Sequence, residues 1–318
     1  MTSLVALPLL SLNCKKTDES PSAESTPGKQ TASRGTIGLS VLTLTNPFFK
    51  DIADNMTSEA ARHGYEVLVN SGEFDAARQR DQVKDFIVRQ VSAIVLTPCD
   101  SKAVGTVIKE ANTAGIPVFT ADIACLDPDA RVVCHIATDN YQGGCQAARA
   151  LHEALGGRGR VAVIDHPEVE SVLLRTKGFD DELRKLKSDI VTLGRWPGKG
   201  SKDESFKTTQ EILQAHPDLN GIFAINDPSA LGAYAALEIA GKTDRVTLIG
   251  FDGQPEGKKA IREGKILADP IQFPDRIGRE TVRTIMKYFE GESVPPEILI
   301  PTQLYTKADA QNDPLFQP

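Results

Sequence analysis

The chain has 318 residues, of which 40% are hydrophobic and 25% are charged, and its formal net charge is −7 at pH 7. Because a single hydrophobic core stops growing at about 250–300 residues, this length favours two domains of similar size. The acidic balance argues against general nucleic-acid binding, which needs clustered Lys and Arg. The sequence contains no run of about 18 apolar residues, so it predicts no membrane-spanning helix.

The segment 1–34 differs in composition from the rest of the chain. Leu4 to Leu12 is a short apolar run, Cys14 follows it, and a stretch rich in Ser, Thr, Pro and Glu extends to Arg34. This order is typical of an export segment, a lipid-attachment cysteine and a flexible tether. The basic start and the small residue before the cysteine that such segments carry are missing, so a plain flexible tail is the alternative. We expect export, with Cys14 as the candidate lipid-attachment residue.

From Thr36 onward, short apolar runs alternate with amphipathic segments. The first half predicts strands at 36–42, 65–70, 93–97 and 117–121, with helices at 47–63, 75–90 and 101–114. The second half predicts strands at 160–164, 190–194, 221–225, 246–250 and 266–271, with helices at 141–155, 172–187, 203–215, 228–240, 256–263 and 275–290. Short Val/Ile/Leu strands between helices are typical of parallel sheets covered on both faces. The pattern therefore predicts an α/β fold of two doubly wound, Rossmann-like lobes with a cleft between them.

Asn46-Pro47-Phe48-Phe49 follows the first predicted strand, and the proline opens a helix. In open α/β folds, ligands bind at the carboxyl ends of the strands. Two aromatic rings beside an amide suit a sugar, which has C–H faces and a rim of hydroxyls. The alternative is that both rings are core, since a helix start also buries its apolar face.

Polar side chains recur at the ends of the later strands. These residues are Asp122, Asn226, Asp227, Asp252 and Gln272, and Arg175 lies in the helix after strand 160–164. A single Asp at such a place is often a helix cap or turn former. Caps alone would not also place Gln272 and Arg175 there, so the set predicts a cleft whose carboxylates, amides and guanidinium hydrogen-bond neighbouring hydroxyls.

The five cysteines lie at positions 14, 99, 125, 134 and 145. Cys125 and Cys134 bracket a short loop and can form a disulfide in an oxidising compartment, or they can pack as small buried hydrophobes. No His lies at the spacing of a zinc site, and we expect neither a metal nor a cofactor.

Eight segments together resemble the periplasmic sugar-binding proteins of the ribose/galactose type, the type I solute-binding proteins of sugar ABC transporters. They are TIGLSVLTLTNPFF, TPCDSKAV, ANTAGIPVFTAD, HIATDN, RTKGF, AHPDLNGIFAINDPSALGA, LIGFDGQPEG and IQFPDRIG. The resemblance implies the type I periplasmic binding protein fold, in which three hinge segments join two lobes. It implies an N-terminal lobe of 35–138 plus 273–301 and a C-terminal lobe of 139–272 plus 302–312.

The resemblance also implies which residues contact the ligand. They are Asn46, Phe48, Phe49, Asp122, Arg175, Asn226, Phe251, Asp252 and Gln272. Trp196 is the nearest candidate for an aromatic ring that relatives carry on a loop of the second lobe. Ribose-binding relatives carry Arg and Ser where this chain has Ile123 and Leu42, so the cleft is less polar on one side. A polyol, a deoxysugar or another pentose therefore fits as well as ribose.

The function implied is an extracytoplasmic protein that captures a small neutral carbohydrate, a pentose, related monosaccharide or polyol, by hinge closure. It would deliver this ligand to the membrane permease and ATPase of an ABC importer, as a monomer in the periplasm or anchored to a membrane by lipid. The chain carries no P-loop, GxSxG elbow or Gly-rich dinucleotide turn, which argues against an enzyme.

Two alternatives use the same fold. One is a periplasmic sensor module for a chemoreceptor or histidine kinase. The other is a repressor-type effector-binding protein, which needs a helix-turn-helix ahead of the lobes. The segment SPSAESTPGKQTAS occupies that place and cannot form one.

Overall fold

Strands and helices alternate along almost the whole of the described chain, which comprises residues 1–4 and 33–317 of a computed structural model. The candidate lipid-attachment residue Cys14 lies outside this range. The strands are β1 (Gly35–Val41), β2 (Tyr65–Ser71), β3 (Ala93–Leu96), β4 (Val118–Ala121), β5 (His135–Thr138), β6 (Arg158–Asp165), β7 (Asp189–Pro197), β8 (Gly221–Ala224), β9 (Thr247–Ile249), β10 (Ala268–Ile271), β11 (Glu297–Ile300) and β12 (Gln303–Thr306). The helices are α1 (Pro47–Arg62), α2 (Ala76–Val88), α3 (Gly105–Thr113), α4 (Asn140–Ala154), α5 (Glu170–Lys185), α6 (Lys202–Ala215), α7 (Asp227–Ile239), α8 (Pro255–Arg262), α9 (Pro274–Phe289) and α10 (Lys307–Asn312), and a short 3-10 helix covers Pro314–Phe316.

The strands form two parallel sheets, each covered by helices. The first sheet has the order β11-β5-β4-β3-β1-β2 and the second the order β7-β6-β8-β9. An antiparallel pair, β10–β12, adjoins the second sheet, where Leu267 N donates to Leu248 O over 2.8 Å. We call the first sheet with its helices the first lobe and the second sheet with its helices the second lobe. The predicted two-lobed α/β fold is therefore confirmed.

The chain passes between the lobes three times: after β5, after β10 and after β11. Helix α9 lies on the first lobe, because Arg279 Nη1 donates to Asn55 Oδ1 of α1 over 2.8 Å and Arg283 Nε donates to Glu59 Oε1 over 2.9 Å. The last passage joins the adjacent strands β11 and β12, which belong to different sheets. The lobe boundaries implied by the resemblance stay predictions.

Close backbone packing of α4 on α5 fixes the position of Arg175. A Cβ atom on Gly144 would lie 2.0 Å from the backbone oxygen of Arg175, and one on Gly178 would lie 2.2 Å from the oxygen of Tyr141. Only glycine permits this approach, since real Cβ atoms do not come so close to backbone. The two helices therefore hold Arg175 in one place along the cleft.

Five elements lie outside the predicted pattern: β5, β11, β12, the short α10 and the 3-10 helix. Each has three to six residues, too few to show a period, and β5 contains the buried polar residues His135 and Thr138. Helix α3 begins at Gly105 and not at 101. The reason is that Asp100 Oδ1 accepts from the N–H groups of Lys102 and Ala103, each over 2.8 Å, which makes a turn first.

Within the described ranges, Cys99, Cys125, Cys134 and Cys145 are all free thiols. Cys134 is fully buried, and burial raises the pKa of its thiol to about 11. The disulfide alternative for Cys125 and Cys134 is thus not the arrangement in this structure. None of the helices described here is long and apolar enough to cross a membrane.

Candidate ligand-binding site

A cavity lies between the two lobes, at the carboxyl ends of their parallel strands. Eight of the predicted ligand contacts line it: Asn46, Phe48, Phe49, Asp122, Arg175, Asn226, Asp252 and Gln272. The other lining residues are Leu42, Phe74, Ile123, His166, Val169, Ser171, Val172, Gly200 and Ile225. The topology thus brings together residues that lie far apart in the chain.

The start of α1 supplies the aromatic wall. Asn46 caps this helix, since its Oδ1 accepts from the backbone N–H of Phe48 over 3.0 Å. The rings of Phe48 and Phe49 meet edge to face, with centroids 5.3 Å apart and planes at 86°. Asn46 is therefore both a helix cap and a cavity residue, so the two readings of such strand-end residues are compatible.

Arg175 is the positive group of the cavity, and its partners fix it on three sides. Its Nε donates to Asn140 Oδ1 over 2.8 Å, and its Nη1 donates to the backbone oxygen of Ile225 over 2.7 Å. The same Nη1 donates to Asp252 Oδ1 over 3.3 Å. The guanidinium lies 3.9 Å from the ring centroid of Phe251, a cation–π contact. The guanidinium is thus held in one position, and its remaining N–H groups can donate to a bound molecule.

The two carboxyl groups of the cavity are deeply buried. Burial raises the pKa of Asp122 to about 7, although nearby Arg175 acts in the opposite direction. Burial likewise raises the pKa of Asp252 to about 6, against the effect of Arg175 and of a 2.6 Å hydrogen bond donated by Gln272 Nε2. Both aspartates adopt positive φ, 64° for Asp122 and 103° for Asp252, a conformation rare outside glycine.

Some buried acceptors at the cavity have no donor. Asp122 Oδ1 and Gln272 Oε1 make no hydrogen bond within the described chain. An unsatisfied buried polar atom costs about 1–3 kcal/mol, so hydroxyl donors placed in the cavity would be stabilised by that order. The amide of Asn226 is already engaged, since its Oδ1 accepts from Ser229 N over 2.9 Å and its Nδ2 donates to Gly200 O over 3.2 Å.

Two predicted contacts do not reach the cavity. The Phe251 ring lies behind the guanidinium of Arg175 and supports it. Trp196 is not a lining residue, because its ring packs at 74° against His216, with centroids 5.6 Å apart, beside the core of the second lobe. Gly200, which follows β7, lines the cavity, whereas the indole of Trp196 does not.

Phe74 and His166 line the cavity but were not predicted. Their ring centroids lie 6.3 Å apart, one ring from each lobe. His166 directly follows β6, so the strand-end rule would have found it had the strand been predicted to end at Asp165. Phe74 sits in a loop at φ 60°, and no sequence pattern marks its direction.

Comparison of the sequence with known proteins assigns the chain to a family. Residues 37–293 match the family model described as periplasmic binding protein domain. The chain is 36% identical over 275 residues to the ribose import binding protein RbsB of Escherichia coli, covering 86% of this chain and 91% of that protein. It is 33% identical over 274 residues to the D-apiose import binding protein of Paraburkholderia graminis, covering 85% and 87%.

A solved structure shows the same architecture. An ABC transporter solute binding protein from Agrobacterium vitis with bound D-fucose superposes with a TM-score of 0.81 at 28% identity. The match covers 86% of this chain and 96% of that one. With its sheets, its three passages and its interlobe cavity, the chain belongs to the periplasmic binding protein family.

Proposed function

We propose that this protein captures one small neutral carbohydrate in the interlobe cavity and delivers it to an ABC importer. The observation that carries the proposal is the pair of unsatisfied buried acceptors, Asp122 Oδ1 and Gln272 Oε1, beside the rings of Phe48 and Phe49. Hydroxyl groups would satisfy the acceptors, and C–H faces would pack on the rings. A pentose, a related monosaccharide or a polyol has both features.

The charges of the cavity support a neutral ligand. Arg175 is the positive group of the cavity, and it already pairs with Asp252. An anionic ligand would have to be desolvated there without a free positive partner. Neutral sugars avoid this cost.

One wall of the cavity is apolar, which favours a ligand with fewer hydroxyls on that side. Leu42 and Ile123 both line the cavity, and neither side chain has a polar atom. A hydroxyl directed at them would lose its hydrogen bond to water without gaining another. A deoxysugar, a polyol or a pentose that presents C–H groups there is therefore included in the proposed class.

The relatives support an importer. Import binding proteins for ribose and D-apiose are similar over most of this chain. We propose that the protein works in the periplasm as a monomer, with a membrane permease and ATPase as partners, and that it performs no catalysis. Attachment of lipid to Cys14 stays a prediction.

The proposal is tested by thermal-shift and calorimetric titration against pentoses, hexoses, deoxysugars, polyols and inositols. A ligand that binds only the native state raises the free energy of unfolding by RT ln(1 + [L]/Kd), about 2.7 kcal/mol at a hundredfold excess over Kd. Ribose 5-phosphate is the matched control, and we expect it not to bind because of its charge. If no neutral carbohydrate produced a shift, the proposed function would be wrong.

A further inference from the structure

The polar side chains that line the cavity are nearly all buried. Asn226 is the most exposed of the predicted polar contacts at 9%, and Asp122 and Asp252 are each at 2%. A sugar therefore reaches these groups only if the lobes separate. The contacts that exist only when the lobes are together therefore contribute to the apparent affinity.

One short segment of the second lobe makes such contacts. It comprises residues 166–170, between β6 and α5, and we call it the clasp. The backbone oxygen of Glu168 accepts from Ser101 N of the first lobe over 3.0 Å. The backbone N–H of Glu170 donates to Ser101 Oγ over 2.9 Å. Ser101 thus holds the clasp by two hydrogen bonds, although it is not among the residues that line the cavity.

The clasp also contacts a second loop of the first lobe. The ring of His166 lies beside that of Phe74, in the loop after β2, with centroids 6.3 Å apart. One segment of five residues therefore meets two separate loops across the cleft.

The clasp adjoins the ligand cavity through its own side chains. Val169, in its middle, lines the cavity, and Val172 does so one helical turn later. A ligand that packs against Val169 therefore favours the position in which its neighbours Glu168 and Glu170 bond to Ser101. Ligand contact and lobe contact are made by the same piece of chain.

We propose that the clasp holds the closed state and that Ser101 sets ligand affinity without touching the ligand. The inference rests on the proposed function. The two Ser101 hydrogen bonds are the same whichever sugar is bound, so they change the affinity for all ligands by one factor. Cavity residues with acceptors that lack a donor, such as Asp122 and Gln272, in contrast act on the choice between ligands.

The test compares Ser101→Ala with wild type by calorimetry on two sugars that bind. The variant keeps its backbone N–H but loses the acceptor for Glu170 N, so a typical net hydrogen bond predicts Kd about two- to tenfold higher for both sugars. Ser188→Ala is the matched control. Its hydroxyl bonds His152 Nδ1 over 2.8 Å and Gly157 O over 3.1 Å inside the second lobe. We expect this control to lower the melting temperature of the free protein and to leave Kd unchanged.

The expected result for Ser101→Ala is an equal increase in Kd for both sugars, with the melting temperature of the free protein unchanged. An unchanged Kd, or a change for only one sugar, would overturn the inference. If wild type bound no sugar, the proposed function would fail separately. The clasp would then be tested by the distance between spin labels at Val88 and Val191, exposed residues of the first and second lobes. A shift to longer distances in Ser101→Ala supports the clasp, and an unchanged distribution overturns it.

Discussion

Replacing Arg175 with methionine removes the positive charge of the cavity while keeping most of the volume of the side chain. Arg175 is 4% exposed and bonds Asn140, Ile225 and Asp252 at once. Removing one partner of a buried ion pair costs about 3–5 kcal/mol, because the other charge is left uncompensated. Since water reaches the cleft when the lobes separate, most of this cost falls on the closed state. We therefore expect Kd to rise by roughly 150- to 5000-fold at pH 7.5.

The same reasoning gives a pH dependence. Arg175 lowers the pKa of both Asp122 and Asp252, so its loss raises both pKa values above about 7 and about 6. When the pH is below the pKa of a carboxyl in the variant, that carboxyl is neutral and carries no uncompensated charge. The affinity deficit of Arg175→Met should therefore be smaller at pH 5.5 than at pH 7.5, measured by calorimetry with one sugar.

Arg195→Met is the control for this variant. Arg195 lies in β7 and is partly exposed, and its Nη1 donates to Thr176 Oγ1 of α5 over 2.9 Å while its Nη2 pairs with Asp180. Partly exposed pairs of this kind contribute about 0–1 kcal/mol, so Kd should not change. Wild-type affinity in Arg175→Met, or a deficit equal at both pH values, would refute the electrostatic account of the cavity.

Three further predictions concern other parts of the molecule. Trp196→Phe should leave Kd unchanged in calorimetry, because the indole does not line the cavity. A large loss of affinity would show that Trp196 contacts the ligand after all. Gly144→Ala should lower the free energy of unfolding by about 1–3 kcal/mol in urea and weaken binding, since the new Cβ would displace Arg175; normal affinity would contradict this. Burial, together with the nearby charge of Asp252, raises the pKa of Asp269 to about 7 against the opposing effect of Asp227, and this pKa lies above the unfolded value, so wild type loses stability as pH rises through 7. Asp269→Asn should therefore gain stability relative to wild type between pH 5 and pH 8 in urea unfolding, and a constant difference would contradict the assignment.

The sequence was sufficient to predict the two sheets and most of the cavity because both follow from order along the chain. In parallel sheets every strand ends at the same edge, so Asp122, Asp252 and Gln272 could be assigned to one place without coordinates. The resemblance pointed to the same positions and added Phe251. The prediction of two lobes followed from the strand–helix pattern, which restarts after residue 121.

Side-chain direction could not be predicted in the same way. Phe251 and Asp252 are neighbours, yet the Phe251 ring packs on Arg175 and only Asp252 lines the cavity. Asp252 has a φ of 103°, which its residue type does not favour, so the alternation of a strand does not predict its direction. Phe74 reaches the cavity only through a loop conformation at φ 60°, which its residue type does not favour. The two hydrogen bonds between Ser101 and the clasp join residues about 65–70 positions apart, and no local pattern encodes them.

The most direct test of the account is a crystal structure of the protein with the tightest-binding sugar from the titrations. The account predicts the sugar ring between the lobes, packed on Phe48 and Phe49, with hydroxyls donating to Asp122 Oδ1 and Gln272 Oε1 and accepting from Arg175. A sugar bound elsewhere, or one in the cavity that leaves both acceptors without a donor, would contradict it.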